Sequence, residues 1–420
     1  MGRPWGVAAV VTAVALAGAG PAAAAYDETQ NWLNAHGRTA QRVPDLPYGL
    51  AVMLTSAEAA LETAQRAGRV PDRGLQQVGA WPWSGDVERG SYGDPPSVKG
   101  VSKVEFEFDN RKGQALKATA WAPTRARVKQ LGFAEPLPGV VYSGGVLSSE
   151  PMYFWFAETM ARAGYVVLTY DVSGQGRSEG SSAGNAAQDL EDALDVFFSD
   201  DMPFAGRLDH TRVGTAGHSM GAGAVQAVGP DGGRVKAISA QSDLRPSYRW
   251  DVPIQGQGAD YETFIFPPQP TPAEGPGSRA KLAGHDAVAA RGVDVQEVVI
   301  ESATHLAWSH VSWAYTSTWS EAVAAWYALA WFDRYLHHDV RRRDGEVRPD
   351  GATGTQRLTR DFDAVGGHGL SAKFTSAWSL RGVRCPDMTA PAGCPAAASL
   401  EPKAKPKRKA KAKRKRRPRR

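Results

Sequence analysis

Hydrophobic and polar positions change rhythm several times along the chain, and each change predicts an element. "KVEFEFDN" alternates apolar and polar residues at period two. "ALKATAWAP" follows after a turn at Asn110–Gly113, so the two predict an antiparallel pair. Short continuous apolar runs, "GVVYSGG" (139–145) and "YVVLTYD" (165–171), read as strands buried on both faces. Between and after them lie helical stretches: 150–164 with a glycine stop, the amphipathic "AAQDLEDALDVFFSD" (186–200), and the long apolar "TWSEAVAAWYALAWFDRYL" (318–336). "RVGTAG", "VKAISAQ" (235–241), "VPIQGQGAD" (252–260) and "VQEVVIES" (295–302) supply further strands. Strands alternating with helices predict an α/β fold, a mostly parallel sheet with helices on both faces.

The ends of the chain follow other patterns. Arg3, the apolar run "GVAAVVTAVALAGAG" and "PAAAA" read as a leader over residues 1–25, with cleavage before Tyr26. Residues 26–99 form an N-terminal extension, with a helix expected at 56–68 capped by Ser56 and ended by Gly68. The expected catalytic domain spans 100–340. Beyond it, 341–400 is a segment in which the α/β pattern fades, "LSAKFTSAWSL" being a strand candidate, and 401–420 is a basic tail.

Composition changes the picture in two places. The 420 residues are 42% hydrophobic and 22% charged, as in ordinary globular proteins, but the formal charge of +5 misleads. From Lys403 to Arg420 there are 13 Lys or Arg and no acid, so the preceding residues carry a net −8. The tail lacks the interleaved aromatics of a base-stacking surface and reads as an unfolded cationic arm for an anionic cell wall or membrane surface. Only two cysteines occur, Cys385 and Cys394, and export predicts that they pair. No zinc or nucleotide-binding spacing is present, so no cofactor or metal is expected. A monomer is expected.

The densest chemical signal is "RVGTAGHSMGAGAV" (212–225). A strand running into Gly-x-Ser-x-Gly and then a small-residue helix predicts a sharp turn that lifts the Ser219 hydroxyl above the sheet, with a helix N-terminus behind it. Gly217 and Gly221 are expected to be glycine because a Cβ there would collide with a neighbouring strand or helix. A passenger serine in a glycine-rich turn is the alternative. A serine hydroxyl needs a base. In this architecture the order is serine, acid, histidine. His305, just after the strand 295–302, fits; His310 is the runner-up, and His218 should point away from Ser219. The acid should follow "VPIQGQGAD", where Asp260 and Glu262 both qualify, with Asp243 a third choice. Oxyanion donors are expected at the backbone N–H of Met220 and Val146.

With these residues the chain resembles the α/β-hydrolase superfamily over about 100–340. The likeness is carried by "GHSMG", by "DVSGQGRSEG" (171–180), similar to a D-x-x-G-x-G-x-S turn, and by "ATH" before a closing helix. Within it, the chain is similar to secreted cutinase-like lipases and polyester hydrolases of actinobacteria, which are dienelactone-hydrolase-like. They read G-H-S-M-G-G-G at the elbow, G-A-D-x-D-T at the acid and G-A-[ST]-H before a W-L-K-R-F helix and a cysteine pair. "GHSMGAG", "GADYET", "SATH", "WFDRYL" and Cys385/Cys394 are the matching stretches. The family's catalytic aspartate falls on Glu262, which is therefore favoured over Asp260. The resemblance implies an extracellular serine esterase or lipase acting on lipid-like or polymeric esters. An acyltransferase on the same scaffold, or a non-catalytic surface-binding protein, are the other classes. The chain departs from the family at the loop near Asp243, which lacks the family's substrate-clamping aromatic, and in the proline-rich insert 264–278.

Overall fold

The computed structural model of the chain describes residues 100–146, 148–180, 185–242, 244–261, 279–309, 318–343 and 345–359, and short strands at 363–364, 367–368, 377–380 and 383–385. The leader, the N-terminal extension with its expected helix, Cys394 and the basic tail lie outside the described residues.

Ten strands form one sheet. They are β1 (Val101–Asp109), β2 (Ala115–Pro123), β3 (Leu137–Ser143), β4 (Val166–Tyr170), β5 (Leu208–His218), β6 (Val235–Gln241), β7 (Ile254–Tyr261), β8 (Val295–Thr304), β13 (Ala377–Leu380) and β14 (Val383–Cys385). The two-residue strands β9 (Arg342–Arg343) and β10 (Glu346–Val347) make one small hairpin, and β11 (Asp363–Ala364) and β12 (Gly367–His368) make another. In the main sheet the order is β1-β2-β4-β3-β5-β6-β7-β8-β13-β14. β3 to β8 run parallel, and β1, β2, β13 and β14 are antiparallel to their neighbours. From β3 the chain crosses to β4 on one side, then returns to β5 on the other. The carboxyl ends of β3 and β5 therefore flank a crevice at a topological switch point, where α/β sheets place ligands.

Helices cover both faces. α2 (Phe154–Arg162) and α6 (Thr318–Tyr335) pack one face through Phe156, Met160, Tyr327 and Trp331. α3 (Ala186–Phe197), α4 (Met220–Val228) and α5 (Ala283–Ala290) pack the other through Leu190, Leu194, Val225 and Val288. In α3 the buried Ala186, Leu190, Ala193, Leu194 and Phe197 recur at helical spacing, which is why the stretch folds as an amphipathic helix. The short α1 (Arg125–Leu131) was not anticipated from the sequence, yet its signals are there. Thr124 caps it, accepting from the Arg127 N–H at 3.2 Å, and Gly132 ends it at φ 73°.

Two further differences from the expected elements are seen. The helix expected from 150 opens as a 3-10 turn, Glu150–Tyr153, which contains Pro151, and the α-helix itself begins at Phe154. The main sheet also continues past residue 340: β13 pairs antiparallel with β8, so part of the C-terminal segment is sheet edge.

α6 is apolar all round because it is enclosed on two sides, by the sheet and by the short helix α7 (Gly354–Leu358). A Cβ on Gly354 would lie 2.6 Å from the Ala330 carbonyl oxygen. Buried glutamines of β7 tie α6 down, with Gln255 donating to the Tyr327 carbonyl and Gln257 to that of Ala324, both at 3.0 Å. At the end of α6 the buried Asp333 accepts from Tyr165 (2.8 Å) and Arg342 (2.6 Å), and pairs with Arg357. Burial alone would raise the Asp333 carboxyl pKa, but the two guanidinium groups hold it below its ordinary value. Asp333→Ala strands two buried cations and should cost about 3–5 kcal/mol of stability, read by denaturant unfolding.

Candidate active site

β5 ends at His218, and Ser219 takes φ 55° and ψ −112° before α4 begins at Met220. A serine held there costs on the order of 1–3 kcal/mol, so the surroundings must enforce the turn. The flanking glycines show how. A Cβ on Gly217 would lie 2.5 Å from the Gly221 carbonyl oxygen, and one on Gly221 would lie 2.0 Å from that of Ser143. The elbow is thus pressed against the end of β3, as its glycines predict. Gly221→Ala has only backbone to displace and should destabilise the fold by about 1–3 kcal/mol. It should also lower any turnover that runs through Ser219 by about 100-fold or more through misplacement of the turn. Gly223→Ala, whose Cβ would meet the Arg245 guanidinium end instead, should do much less. Thermal melts and turnover of the two variants check this.

His305 stands across the crevice, half-buried, at the start of the 3-10 turn His305–Trp308 that follows β8. Trp308 anchors the turn. It is fully buried, its indole N–H donates to Gln257 (2.9 Å), and its carbonyl accepts from the Trp155 indole (3.0 Å). This brings His305 Nε2 to 2.9 Å from Ser219 Oγ. On the other side of the ring, Nδ1 lies 2.7 Å from Ser242 Oγ. Ser242 follows β6 and sits at φ 77°. With the proton on Nδ1, the ring donates to Ser242 and leaves Nε2 to accept from the Ser219 hydroxyl.

His218 does not use its ring on Ser219. Its Nε2–H donates to the His305 carbonyl (2.8 Å), and its Nδ1 accepts from the Tyr153 hydroxyl (3.2 Å). The Tyr153 oxygen in turn accepts from the Gly145 N–H (2.8 Å). Burial, and then the neighbouring His305, hold the His218 pKa well below its usual value, so it stays neutral and keeps this one-way order of donors. A buried polar chain thereby joins the loop after β3 to the turn that carries His305.

That loop meets the elbow at Gly145, where a Cβ would lie 3.3 Å from Ser219 Cβ, and the exposed Val146 follows it; Met220 is the first residue of α4, whose N–H has no acceptor within its own helix. Glu262, Asp243 and His310 lie outside the described residues, and Asp260 is described only as backbone of β7. Cys385 ends β14, and its expected partner Cys394 is outside the described residues.

Sequence reasoning missed Ser242, Tyr153 and Gln175, whose Nε2 donates to the Gly145 carbonyl oxygen at 3.1 Å. A serine after β6 carries no signal until His305 is seen beside it. Tyr153 lies in "PMYFWFAETM", which reads as core and cleft packing, and Gln175 lies in the "DVSGQGRSEG" turn.

The strand order, the elbow after β5 and the histidine after β8 define an α/β-hydrolase fold. Residues 122–272, which include the elbow, match the model of a family described as PET hydrolase-like, and over that stretch the chain is similar to ester-cleaving hydrolases of this family. Comparison with curated proteins gives no match.

Proposed function

We propose that the chain is a secreted serine hydrolase that cleaves carboxylic esters through an acyl-enzyme on Ser219. The observation that carries this reading is the 2.9 Å contact between His305 Nε2 and the hydroxyl of a serine on a positive-φ strand-to-helix elbow. Ser219 Oγ attacks the ester carbonyl carbon as its proton passes to His305 Nε2. The resulting oxyanion is met by the N–H groups of Met220 and Val146. His305 returns the proton to the departing alkoxide oxygen as the ester C–O bond breaks, leaving an acyl group on Ser219. Water, deprotonated by the same imidazole, then releases the acid and restores the serine. Glu262, with Asp260 as the alternative, supplies the negative charge that stabilises the imidazolium. The similarity to PET hydrolase-like proteins supports lipid-like or polymeric esters as substrates.

A p-nitrophenyl ester series from acetate to palmitate, run beside a polyester film, tests the reading. Hydrolysis of at least part of the series with fluorophosphonate labelling of Ser219 is expected. No hydrolysis and no labelling would refute it.

In the same proposal residues 1–25 direct export, Cys385 and Cys394 form a disulfide, and the tail from Lys403 holds the monomeric enzyme at an anionic cell wall or membrane surface. Because the Debye length is about 8 Å at 0.15 M salt, tail binding is short-range and screened. Truncation after Ser399 should leave hydrolysis of a soluble ester unchanged and reduce retention on anionic liposomes at low salt. Equal retention of both forms would exclude the anchor.

A further inference from the structure

The turn "DVSGQGRSEG" supplies none of the reacting groups proposed above, yet its side chains are closely tied together. Asp171, buried, accepts from the Arg177 N–H (3.0 Å) with one oxygen and from the Glu150 N–H (2.6 Å) with the other. It therefore fastens the turn to the far end of the loop that follows β3. Gly176 at φ 53° packs directly on this carboxylate; a Cβ there would lie 2.3 Å from Asp171 Cγ. Ser178 donates to the Asp171 carbonyl (2.7 Å), closing the turn. The residue this construction presents is Gln175. Its side chain is buried, and its Nε2 donates to the Gly145 carbonyl oxygen at 3.1 Å. The Ser148 hydroxyl donates to the same oxygen at 2.7 Å.

The Gly145 carbonyl and the Val146 N–H belong to one peptide plane. In a trans peptide they point in opposite directions. The only cis peptide among the described residues is Glu135–Pro136. Two donors on the carbonyl thus fix the direction of the Val146 N–H. They also polarise the amide, which strengthens it as a donor. The preceding N–H, that of Gly145, is already given to Tyr153. The loop cannot rotate the 145–146 peptide without giving up both bonds to its oxygen.

We propose that Gln175, together with Ser148, is a positioning residue that aims and polarises the Val146 N–H for the oxyanion of the tetrahedral intermediate. This rests on the ester-hydrolase reading above. It gives the D-x-x-G-x-G-x-S turn a task in catalysis: the glycines and Asp171 shape the turn, and Gln175 delivers its donor to the oxyanion loop.

The test uses the full chain, with competent sites counted by titration with a p-nitrophenyl phosphonate. Gln175→Met removes the donor at similar volume, and Ser148→Ala is the second variant. For Gln175→Met, kcat per titrated site is expected to fall about 10- to 100-fold with KM within about twofold of wild type, since the lost interaction strengthens in the transition state. The inhibition constant of an alkyl trifluoromethyl ketone, which adds to Ser219 and develops the same oxyanion, should rise by the same factor. Ser148→Ala should show the same pattern. A variant that only loosened the fold would lower the melting temperature and the number of titratable sites while leaving kcat per site and ketone affinity unchanged. That result would overturn the proposal. Wild-type protein that neither hydrolyses the ester nor reacts with the phosphonate would overturn the ester-hydrolase reading itself, and this inference with it.

Discussion

Replacing either Ser219 or His305 with alanine should lower turnover of an activated ester by about a million-fold, because in the proposed mechanism the two act as one unit. Without the serine there is no oxygen to acylate. Without the imidazole the hydroxyl stays protonated, and the leaving alkoxide receives no proton. Either loss alone should therefore cost nearly as much as both. Steady-state kinetics on the two single variants and the double variant measure this, and fluorophosphonate labelling adds a direct reading. Labelling should vanish in Ser219→Ala and become very slow in His305→Ala. Neither substitution should unfold the chain, since the glycines around the elbow and the Trp308 anchor remain in place. Full labelling of Ser219→Ala would end the mechanism.

The elbow was legible in the sequence because its demands are local. A sharp turn pressed against β3 needs glycine at 217 and 221, and a chain that keeps both beside a serine announces the turn. The β1–β2 pair was legible for a similar reason: period-two alternation and a polar turn are contained in one short stretch, and their register from Val101↔Pro123 to Asp109↔Ala115 runs without a bulge. His305 followed from chain order together with its place just after the strand expected at 295–302.

What stayed hidden acts across long separations. Gln175 meets Gly145 30 residues away, Tyr153 meets His218 65 away, and Ser242 meets His305 63 away. No periodicity or spacing encodes such meetings; they arise when the carboxyl ends of β3, β5 and β6 are brought level. The register does this by setting Ser143 beside Gly217 and His218 beside Gln241. The strand β13 was only half visible. Its apolar pattern suggested a strand, but its pairing with β8 depends on an exposed sheet edge that the sequence does not display.

The third member of the catalytic set should separate by charge. Ser242 Oγ, 2.7 Å from His305 Nδ1, can hold the imidazole in the tautomer that leaves Nε2 free to accept. A neutral oxygen does no more than that. Once Nε2 takes the serine proton the ring is a cation, and stabilising it requires a carboxylate nearby. Loss of such a carboxylate with geometry preserved costs about 10,000-fold in kcat, whereas loss of a neutral hydrogen bond of about 1 kcal/mol costs nearer fivefold to tenfold. Glu262→Gln is therefore expected to lower kcat by about 10,000-fold. Asp260→Asn should cost far less, and Ser242→Ala about tenfold or less. Kinetics on the three variants, each normalised to titrated sites, decide the assignment. A crippled Asp260→Asn beside a near-normal Glu262→Gln would move the acid to Asp260. A loss for Ser242→Ala as large as that for either carboxylate variant would mean that holding the tautomer, and not the negative charge, is what the imidazole needs most.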